Sequence, residues 1–173
     1  KIFDELSFPF LGSAVIASAF FTSARVMYKA RPLLYEFAHI HNTLKHPERT
    51  LWLTDTFNDP NGVANVLQLM HKEIKRNDLP IDIITVSDTL QSDEHLIVIK
   101  PLKEYTIPFY QQQPLRIPDI LQIHKIFKDG EYNKIIVSTE GPMGLAALWL
   151  KYAYSVPAYF YLHTDWMIFA EKT

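Results

Sequence analysis

The residues best suited to chemistry in this sequence are His163, Thr164 and Asp165, which follow directly on an apolar run. The run from Val156 to Leu162 predicts a buried strand, so the three polar residues mark its carboxyl end. A neutral imidazole offers one hydrogen-bond donor and one acceptor, and it could hold a sugar or a phosphate. A structural histidine at a strand end is the competing interpretation, since such polar residues are enriched in sites but not confined to them.

A second polar cluster, Asn-Asp-Pro-Asn-Gly-Val-Ala, stands between a predicted strand and a predicted helix and contains Asn61, Gly62 and Val63. A glycine there lets a ligand approach the backbone, and the free N–H groups at a helix start attract an anion such as a phosphate. Asn-Gly is also an ordinary turn and cap, so a purely structural role stays open. The three-glycine dinucleotide fingerprint and the Gly-Lys-Ser/Thr phosphate loop are both absent.

A third cluster, Ser-Thr-Glu-Gly-Pro-Met-Gly, begins at Ser138 and precedes another predicted helix. Its proline is a favoured first residue of a helix, so we expect Thr139 to take part in capping and turn formation. Gly141 and Gly144 are expected to keep this helix close to the sheet. Glu140 is the cluster's carboxylate.

Asp55 ends a predicted strand and could act as a nucleophile that accepts a phosphoryl group. Phosphatases of the haloacid dehalogenase type place a second aspartate two positions later, where this sequence has Phe57. Capping of the following loop is therefore the preferred interpretation of Asp55.

No metal or bound cofactor is expected. The sequence has no cysteine, which excludes thiolate chemistry and sulfur-ligated zinc. His163 and Asp165 supply only two ligands, and His39 and His41 do not share a helix face. A net charge of −2 without a basic stripe argues against nucleic acid as a partner. A cytoplasmic location is compatible with the missing cysteines.

Periodicity predicts strands at residues 50–55, 81–86, 95–100, 133–141 and 156–162, with helices from 63, at 119–128 and at 143–154. Residues 106–118, rich in proline and glutamine, are expected to be an irregular connection. Strands that alternate with helices predict an α/β fold, a Rossmann-like parallel sheet with helices on both faces. Since ligands collect at the carboxyl ends of such strands, the three polar clusters are expected along one rim.

Residues 1–47 are expected to form a helical arm or linker from an upstream module, and residues 48–173 a Rossmann-like domain. The apolar stretch at residues 8–21 is too short to span a bilayer, which needs about 20 apolar residues. A buried or interface-packed helix is expected, and Asp4 and Glu5 disfavour a signal peptide. Peripheral contact with the inner face of a membrane stays open.

The stretches LTDTFNDPNGVANVLQLM and STEGPMGLAALWLKYAYSVPAYFYLHTDW, in this order, resemble the N-terminal domain of retaining glycosyltransferases of family 4, group 1, which have the GT-B architecture. The resemblance covers residues 50–173 and is most specific where GPMGLAAL precedes VPAYFYLHTD by one helix. The family commonly continues His-Thr-Asp with Phe-Pro, where this sequence has Trp166 and Met167.

The resemblance implies two Rossmann-like domains around a cleft, with the acceptor mostly on the N-terminal domain and the nucleotide-sugar donor on a C-terminal domain. It implies that Gly62, with its neighbours Asn61 and Val63, approaches the donor phosphates. His163 would be the catalytic residue near the transferred sugar. Asp165 would set that loop or contact the acceptor.

The resemblance also implies that Glu140 and Gly141 line the floor of the cleft, and that no cofactor is needed. The implied function is transfer of a hexose with retention to a glycan or lipid acceptor. Because the donor domain would follow residue 173, residues 1–173 are expected to be inactive by themselves. The alternatives are a non-catalytic Rossmann-like binding or regulatory module and a phosphatase or response-regulator-like domain that uses Asp55.

Overall fold

A computed structural model describes residues 2–43, 48–107 and 110–162 of the chain. The chain divides into two compact units, one with Lys1–Leu44 and Tyr152–Ser155, the other with Lys45–Lys151 and Val156–Thr173. The second unit contains all the strands described below. The expected division between residues 47 and 48 stays a prediction.

The described residues begin with two helices; strands and helices follow, with four strands in succession between the third and the fourth helix. The helices are α1 (Ile2–Lys29), α2 (Arg31–Ile40), α3 (Gly62–Asn77), α4 (Ile120–Asp129) and α5 (Pro142–Tyr154). The strands are β1 (Thr50–Leu53), β2 (Ile81–Val86), β3 (Leu96–Ile99), β4 (Pro101–Ile107), β5 (Tyr110–Pro118), β6 (Lys134–Val137) and β7 (Ala158–Phe160).

Five of the strands form one parallel sheet in the order β3-β2-β1-β6-β7. In the register, Leu51 of β1 lies between Asp82 of β2 and Ile135 of β6. The central strands read as near-continuous apolar runs because helices cover both faces of such a sheet. The expectation of a Rossmann-like α/β fold that is preceded in the chain by a helical arm is confirmed.

The two faces of the sheet are built from alternate residues of each strand. On one face, Trp52 and Ile83 join Leu67 and Ile74 of α3 in a single buried cluster. On the other face Leu51 is completely buried. Connections between parallel strands are right-handed. The connection from β1 to β2 runs across the sheet in one direction and the connection from β6 to β7 in the other, so α3 lies on one face of the sheet and α5 on the opposite face.

Residues 106–118 are not an irregular connection, as the sequence suggested, but the larger part of an antiparallel hairpin formed by β4 and β5. Prolines argued against strands here, because proline cannot donate to a sheet ladder. In a two-stranded ribbon, however, each strand has an edge whose N–H groups need no partner. The register shifts between Pro101 and Lys103 and between Tyr105 and Ile107 absorb the remaining irregularity.

The arm consists of α1 and α2, which are separated at Ala30. A proline in the first two positions of α2 suits the start of that helix. The large apolar side chains described in α1 and α2, from Leu11 to Ile40, are more than half exposed. The sequence predicted a buried or interface-packed helix at residues 8–21; the side chains described there are not buried within this chain, and packing at an interface stays a prediction. No helix among the described residues is long and apolar enough to cross a membrane.

Candidate functional site

The chain changes its direction across the sheet between β1 and β6. From β1 it runs outward through β2 to β3, and it later returns to β6 on the other side of β1. In open parallel sheets, ligands bind outside the carboxyl ends of the strands beside such a switch point. Two loops leave β1 and β6 at this place, residues 54–61 and 138–141. They belong to two of the three predicted polar clusters.

Asp55 and Thr139 join these two loops. The backbone N–H of Asp55 donates to Thr139 Oγ1 at 2.9 Å, and the same hydroxyl donates to Asp55 Oδ2 at 2.5 Å. The indole N–H of Trp52 donates to Ser138 Oγ at 2.6 Å just below them. Thus two clusters that are more than 80 residues apart in sequence meet on the rim, as predicted.

The carboxylate of Asp55 also caps α5. Its Oδ1 accepts the backbone N–H of Met143 at 2.9 Å, which satisfies one of the orphan donors at the start of that helix. A Cβ at Gly141 would lie 2.5 Å from Asp55 Oδ2, so only glycine leaves room for the carboxylate. The sequence suggested that Asp55 caps its own loop; it caps a helix that starts 87 residues later (142 − 55), because the parallel pairing of β1 and β6 brings that helix beside it.

Burial raises the pKa of Asp55 above its ordinary value of 3.8. Hydrogen bonds from Thr139, Met143 and Gly141 and the charge of Arg116 oppose this shift but do not cancel it. Both carboxylate oxygens already accept hydrogen bonds. A nucleophile needs an accessible, unengaged oxygen, so this geometry gives no support to a phosphatase that uses Asp55.

The start of α3 differs from the start of α5, because among the described residues only its own N-cap residue places a side chain there. Asn61 Oδ1 accepts the N–H of Ala64 at 2.8 Å, so the cap predicted for Asn61 is present. The N–H groups of Gly62 and Val63 have no partner within the helix, since they belong to its first turn. A Cβ at Gly62 would meet nothing within 4 Å, so Gly62 faces open space, whereas the side chain of Val63 packs against the core.

Glu140, His163 and Asp165 are the remaining predicted site residues. Glu140 is exposed on the loop between β6 and α5. His163 and Asp165 lie outside the described residues, and their place in the site stays a prediction. The strand that leads to them, β7, is parallel to β6, and the N–H of Tyr161 donates to Val137 at 2.8 Å. The chain therefore leaves β7 at the same carboxyl edge as the other two clusters.

Sequence reasoning missed an ion pair above the same edge. Arg116 of β5 makes three hydrogen bonds of 3.2–3.3 Å to the carboxylate of Asp59, and its Nε donates to Glu104 at 3.1 Å. Asp59 belongs to the loop between β1 and α3, so the ion pair ties the hairpin to that loop. No local signal could have revealed it, because the partners are 57 residues apart and the hairpin itself was not predicted.

A second cluster of charges lies at the opposite, amino edge of the sheet. Asp82 accepts hydrogen bonds from Arg49 at 2.6 Å and from the Tyr132 hydroxyl at 2.7 Å, and it contacts His95 Nδ1 at 3.0 Å. Burial by itself would raise the pKa of Asp82, but these hydrogen bonds, with that of Tyr132 foremost, lower it. Every charge has a partner here, so the cluster serves to hold the fold together.

No group of three or more histidine, aspartate or glutamate side chains among the described residues is arranged to hold a metal ion. What the carboxyl edge offers is a set of backbone donors, hydroxyls and carboxylates beside an open glycine.

The sequence profile of Glycosyltransferase Family 4 matches residues 60–172. The chain belongs to glycosyltransferase family 4. No curated protein and no solved structure matches it. The resemblance read from the sequence is thereby confirmed for the family and for the N-terminal type of domain.

The family match includes the residues predicted to line the site, from Asn61 and Gly62 to His163 and Asp165. It also includes Arg116 and the turn at Gly141. The strand β1 and Asp55 precede it, so their part in the rim rests on the geometry alone. In a parallel sheet of this kind, the switch point between β1 and β6 is where a ligand is expected to bind.

Proposed function

We propose that residues 48–173 form the acceptor-side half of a glycosyltransferase that uses a nucleotide diphosphate-sugar and transfers a hexose with retention to a glycan or lipid acceptor. The observation that carries this proposal is the meeting of the loops after β1 and β6 at the switch point of a family 4 domain. We further propose that a second Rossmann-like domain supplies most of the donor site. Residues 1–173 would then transfer no sugar by themselves.

The two helix starts at the rim suggest where the donor phosphates lie. The start of α5 already holds an anion, the carboxylate of Asp55. The start of α3 holds only the Asn61 cap and is open at Gly62. A diphosphate is therefore better accommodated at Gly62 and Val63, where free N–H groups and the helix dipole favour negative charge.

The chemistry requires stabilisation of two opposite charges. As the bond to the sugar breaks, negative charge grows on the leaving phosphate and positive charge grows at the anomeric carbon. The N–H donors at Gly62 would stabilise the phosphate, since they are oriented before the reaction begins. His163, reached from β7, would orient the sugar, and Asp165 would hold that loop or contact the acceptor.

Gly141 has a structural explanation in the space that it leaves for Asp55, so its contact with a ligand stays a proposal, as does that of Glu140. We propose that no metal or other cofactor takes part. The exposed apolar side chains of the arm support peripheral contact with the inner face of a membrane, and a cytoplasmic location is part of this proposal.

The function is tested with the natural protein that contains this chain. A radiolabelled panel of nucleotide diphosphate-sugars is offered together with glycan and lipid acceptors, and the anomeric configuration of any product is determined by NMR. Transfer with retention is expected, and His163→Ala is expected to lower kcat by about 100-fold or more, the usual loss when one oriented stabilising group is removed.

The control is His39→Ala, which removes a histidine from α2 in the arm and is expected to leave the rate unchanged. If the natural protein binds nucleotide-sugars and transfers none of them, the chain is a binding or regulatory module instead. If the product has an inverted configuration, the retaining mechanism is wrong.

A further inference from the structure

A small cavity opens at the carboxyl ends of β1 and β2, on the side of the sheet edge covered by the β4–β5 hairpin. It has a volume of about 50 Å³ and is partly open to solvent. The residues that matter for its chemistry are Phe57, Asp59, Thr85, Ser87, Thr89 and Arg116. It stands on the β2 side of β1, whereas the Asp55–Thr139 contact stands on the β6 side.

The charged part of the cavity is fixed before any ligand arrives. Arg116 is 16% exposed and Asp59 is 9% exposed, and the two groups are held together by the three hydrogen bonds described above. Glu104 accepts the remaining Nε–H of the same guanidinium at 3.1 Å. One positive and two negative charges give this corner a net charge of −1, so it opposes the entry of a phosphate or carboxylate.

The hydroxyl-bearing part comes from the end of β2 and the turn after it. Ser87 Oγ accepts the N–H groups of Thr89 and Leu90 at 3.2 Å, which holds the turn, and it lies 3.2 Å from Thr89 Oγ1. Thr85 and Ser87 are buried against the sheet. These contacts use the capacity of Ser87 Oγ, so the hydroxyls left to donate to or accept from a polyol are those of Thr85 and Thr89.

Phe57 also lines the cavity, although the cavity surface is mostly polar. The Phe57 ring is buried and packs edge-on against His71, at a centroid distance of 5.7 Å. The cavity is lined by hydroxyls and by a carboxylate that is paired with Arg116, and such groups can hydrogen-bond a hydroxylated ligand. An anion site would instead present an unpaired cation, which this cavity lacks among the residues that line it.

We infer that this cavity binds a neutral polyol part of the acceptor, such as an unsubstituted sugar ring or a glycerol group, and that it discriminates against phosphate-bearing acceptors at this position. The inference rests on the proposed function and specifies its acceptor. A buried water needs roughly 10–15 Å³, so about 50 Å³ takes several waters or the hydroxyl-bearing end of a sugar. The rest of the ring would lie outside the cavity, towards the solvent.

The inference is tested by binding, which does not require transfer. Methyl α-D-glucopyranoside and its 6-phosphate are titrated into the isotopically labelled full chain, and amide and arginine Nε shifts are followed by NMR. We expect the neutral probe to shift Thr89, Leu90 and Arg116 and to bind at least about tenfold more tightly than the phosphate, a difference of about 1.4 kcal/mol. Equal binding of both probes, tighter binding of the phosphate, binding of neither, or shifts confined to other residues would overturn the inference.

Two variants sharpen the test. Asp59→Asn removes one negative charge, so the preference for the neutral probe is expected to fall by about tenfold, and this ratio does not depend on the fraction of folded protein. Thr85→Val keeps the volume and removes one hydroxyl; it is expected to weaken the neutral probe severalfold. Thr50→Val, the same substitution at the amino end of β1, is the control and should change neither affinity.

Failure of this inference is distinguishable from failure of the proposed function. If the natural protein transfers sugar but the probes shift residues elsewhere, the acceptor lies outside this cavity and the proposed function stands. If the probes bind here and no transfer is found with any donor, the cavity is a polyol site of a binding module.

Discussion

Asp55 and Thr139 exchange two hydrogen bonds across the switch point of the sheet, one through the backbone N–H of Asp55 and one through its carboxylate. Their contact fixes the position of the loop after β1 relative to the loop after β6. Because Asp55 also caps α5 through Met143, a single partly buried carboxylate organises both sides of the crevice.

Gly141→Ala is expected to destabilise the protein. The added methyl group would lie 2.5 Å from Asp55 Oδ2, so the carboxylate must move and lose its hydrogen bonds. Overpacking of this kind costs about 1–3 kcal/mol, measurable as a lower free energy of unfolding in urea. Gly62→Ala is the matched control, since its methyl group enters open space and should leave stability nearly unchanged.

The same Gly62→Ala variant is expected to impair donor binding in the natural protein. A methyl group on the open side of α3 stands where the proposed diphosphate would approach the N–H groups of Gly62 and Val63. The measurement is the dissociation constant of the nucleoside diphosphate, which should rise by about tenfold, corresponding to 1.4 kcal/mol. An unchanged constant in a stable Gly62→Ala protein would place the phosphates elsewhere.

The stability of the protein is expected to depend on the ionisation of Asp55. Because burial raises its pKa in the folded state above 3.8, the folded state binds the proton more tightly than the unfolded state. The contribution of Asp55 to stability is therefore fully present below pH 3.8 and is lost as the pH rises through the raised pKa. Relative to Asp55→Asn, the wild-type protein should lose stability over this interval in urea unfolding at a series of pH values.

Asp82 is expected to show the opposite dependence and serves as the control. Its pKa is lowered in the folded state, despite burial, by hydrogen bonds from Tyr132 and Arg49. Its contribution to stability is present above pH 3.8 and is lost as the pH falls through the lowered pKa. If both Asp→Asn variants followed the pH profile of the wild-type protein in parallel, the two assigned environments would be wrong.

Tyr132→Phe is expected to lower the stability of the protein without changing its affinity for a nucleotide-sugar. The variant removes the hydroxyl that donates to Asp82 at 2.7 Å, and a hydrogen bond to a charged group contributes about 1.5–3 kcal/mol. The Asp82 cluster is at the amino edge of the sheet, so the affinity of the natural protein for a nucleotide-sugar should not change. A large loss of affinity at a temperature where the variant is still folded would contradict the assignment of the site to the carboxyl edge.

Local patterns in the sequence were sufficient to predict most strands of the sheet and the helices between them. The apolar run at residues 81–86 is β2 with the predicted bounds, and the helix predicted from Asp119 has that residue as its N-cap. These elements are encoded by neighbouring residues, through burial on both faces in one case and a side-chain cap in the other.

The parts that sequence reasoning missed depend on contacts between distant residues. The hairpin β4–β5 was hidden by its prolines, and Arg116 gained its meaning only when the hairpin brought it to Asp59. Asp55 was predicted to cap its own loop, and its partner at the start of α5 becomes visible only through the pairing of β1 with β6. The proposed catalytic residue His163 follows the last described strand and stays a prediction.

The central claim, that the polar loops of the carboxyl edge form one rim around a sugar diphosphate, is tested most directly by a crystal structure of the natural protein with a bound nucleotide diphosphate-sugar. The account predicts a diphosphate oxygen about 3 Å from the N–H of Gly62 or Val63, with the His163 imidazole against the sugar. A donor bound away from Gly62, with His163 on another face of the domain, would contradict it.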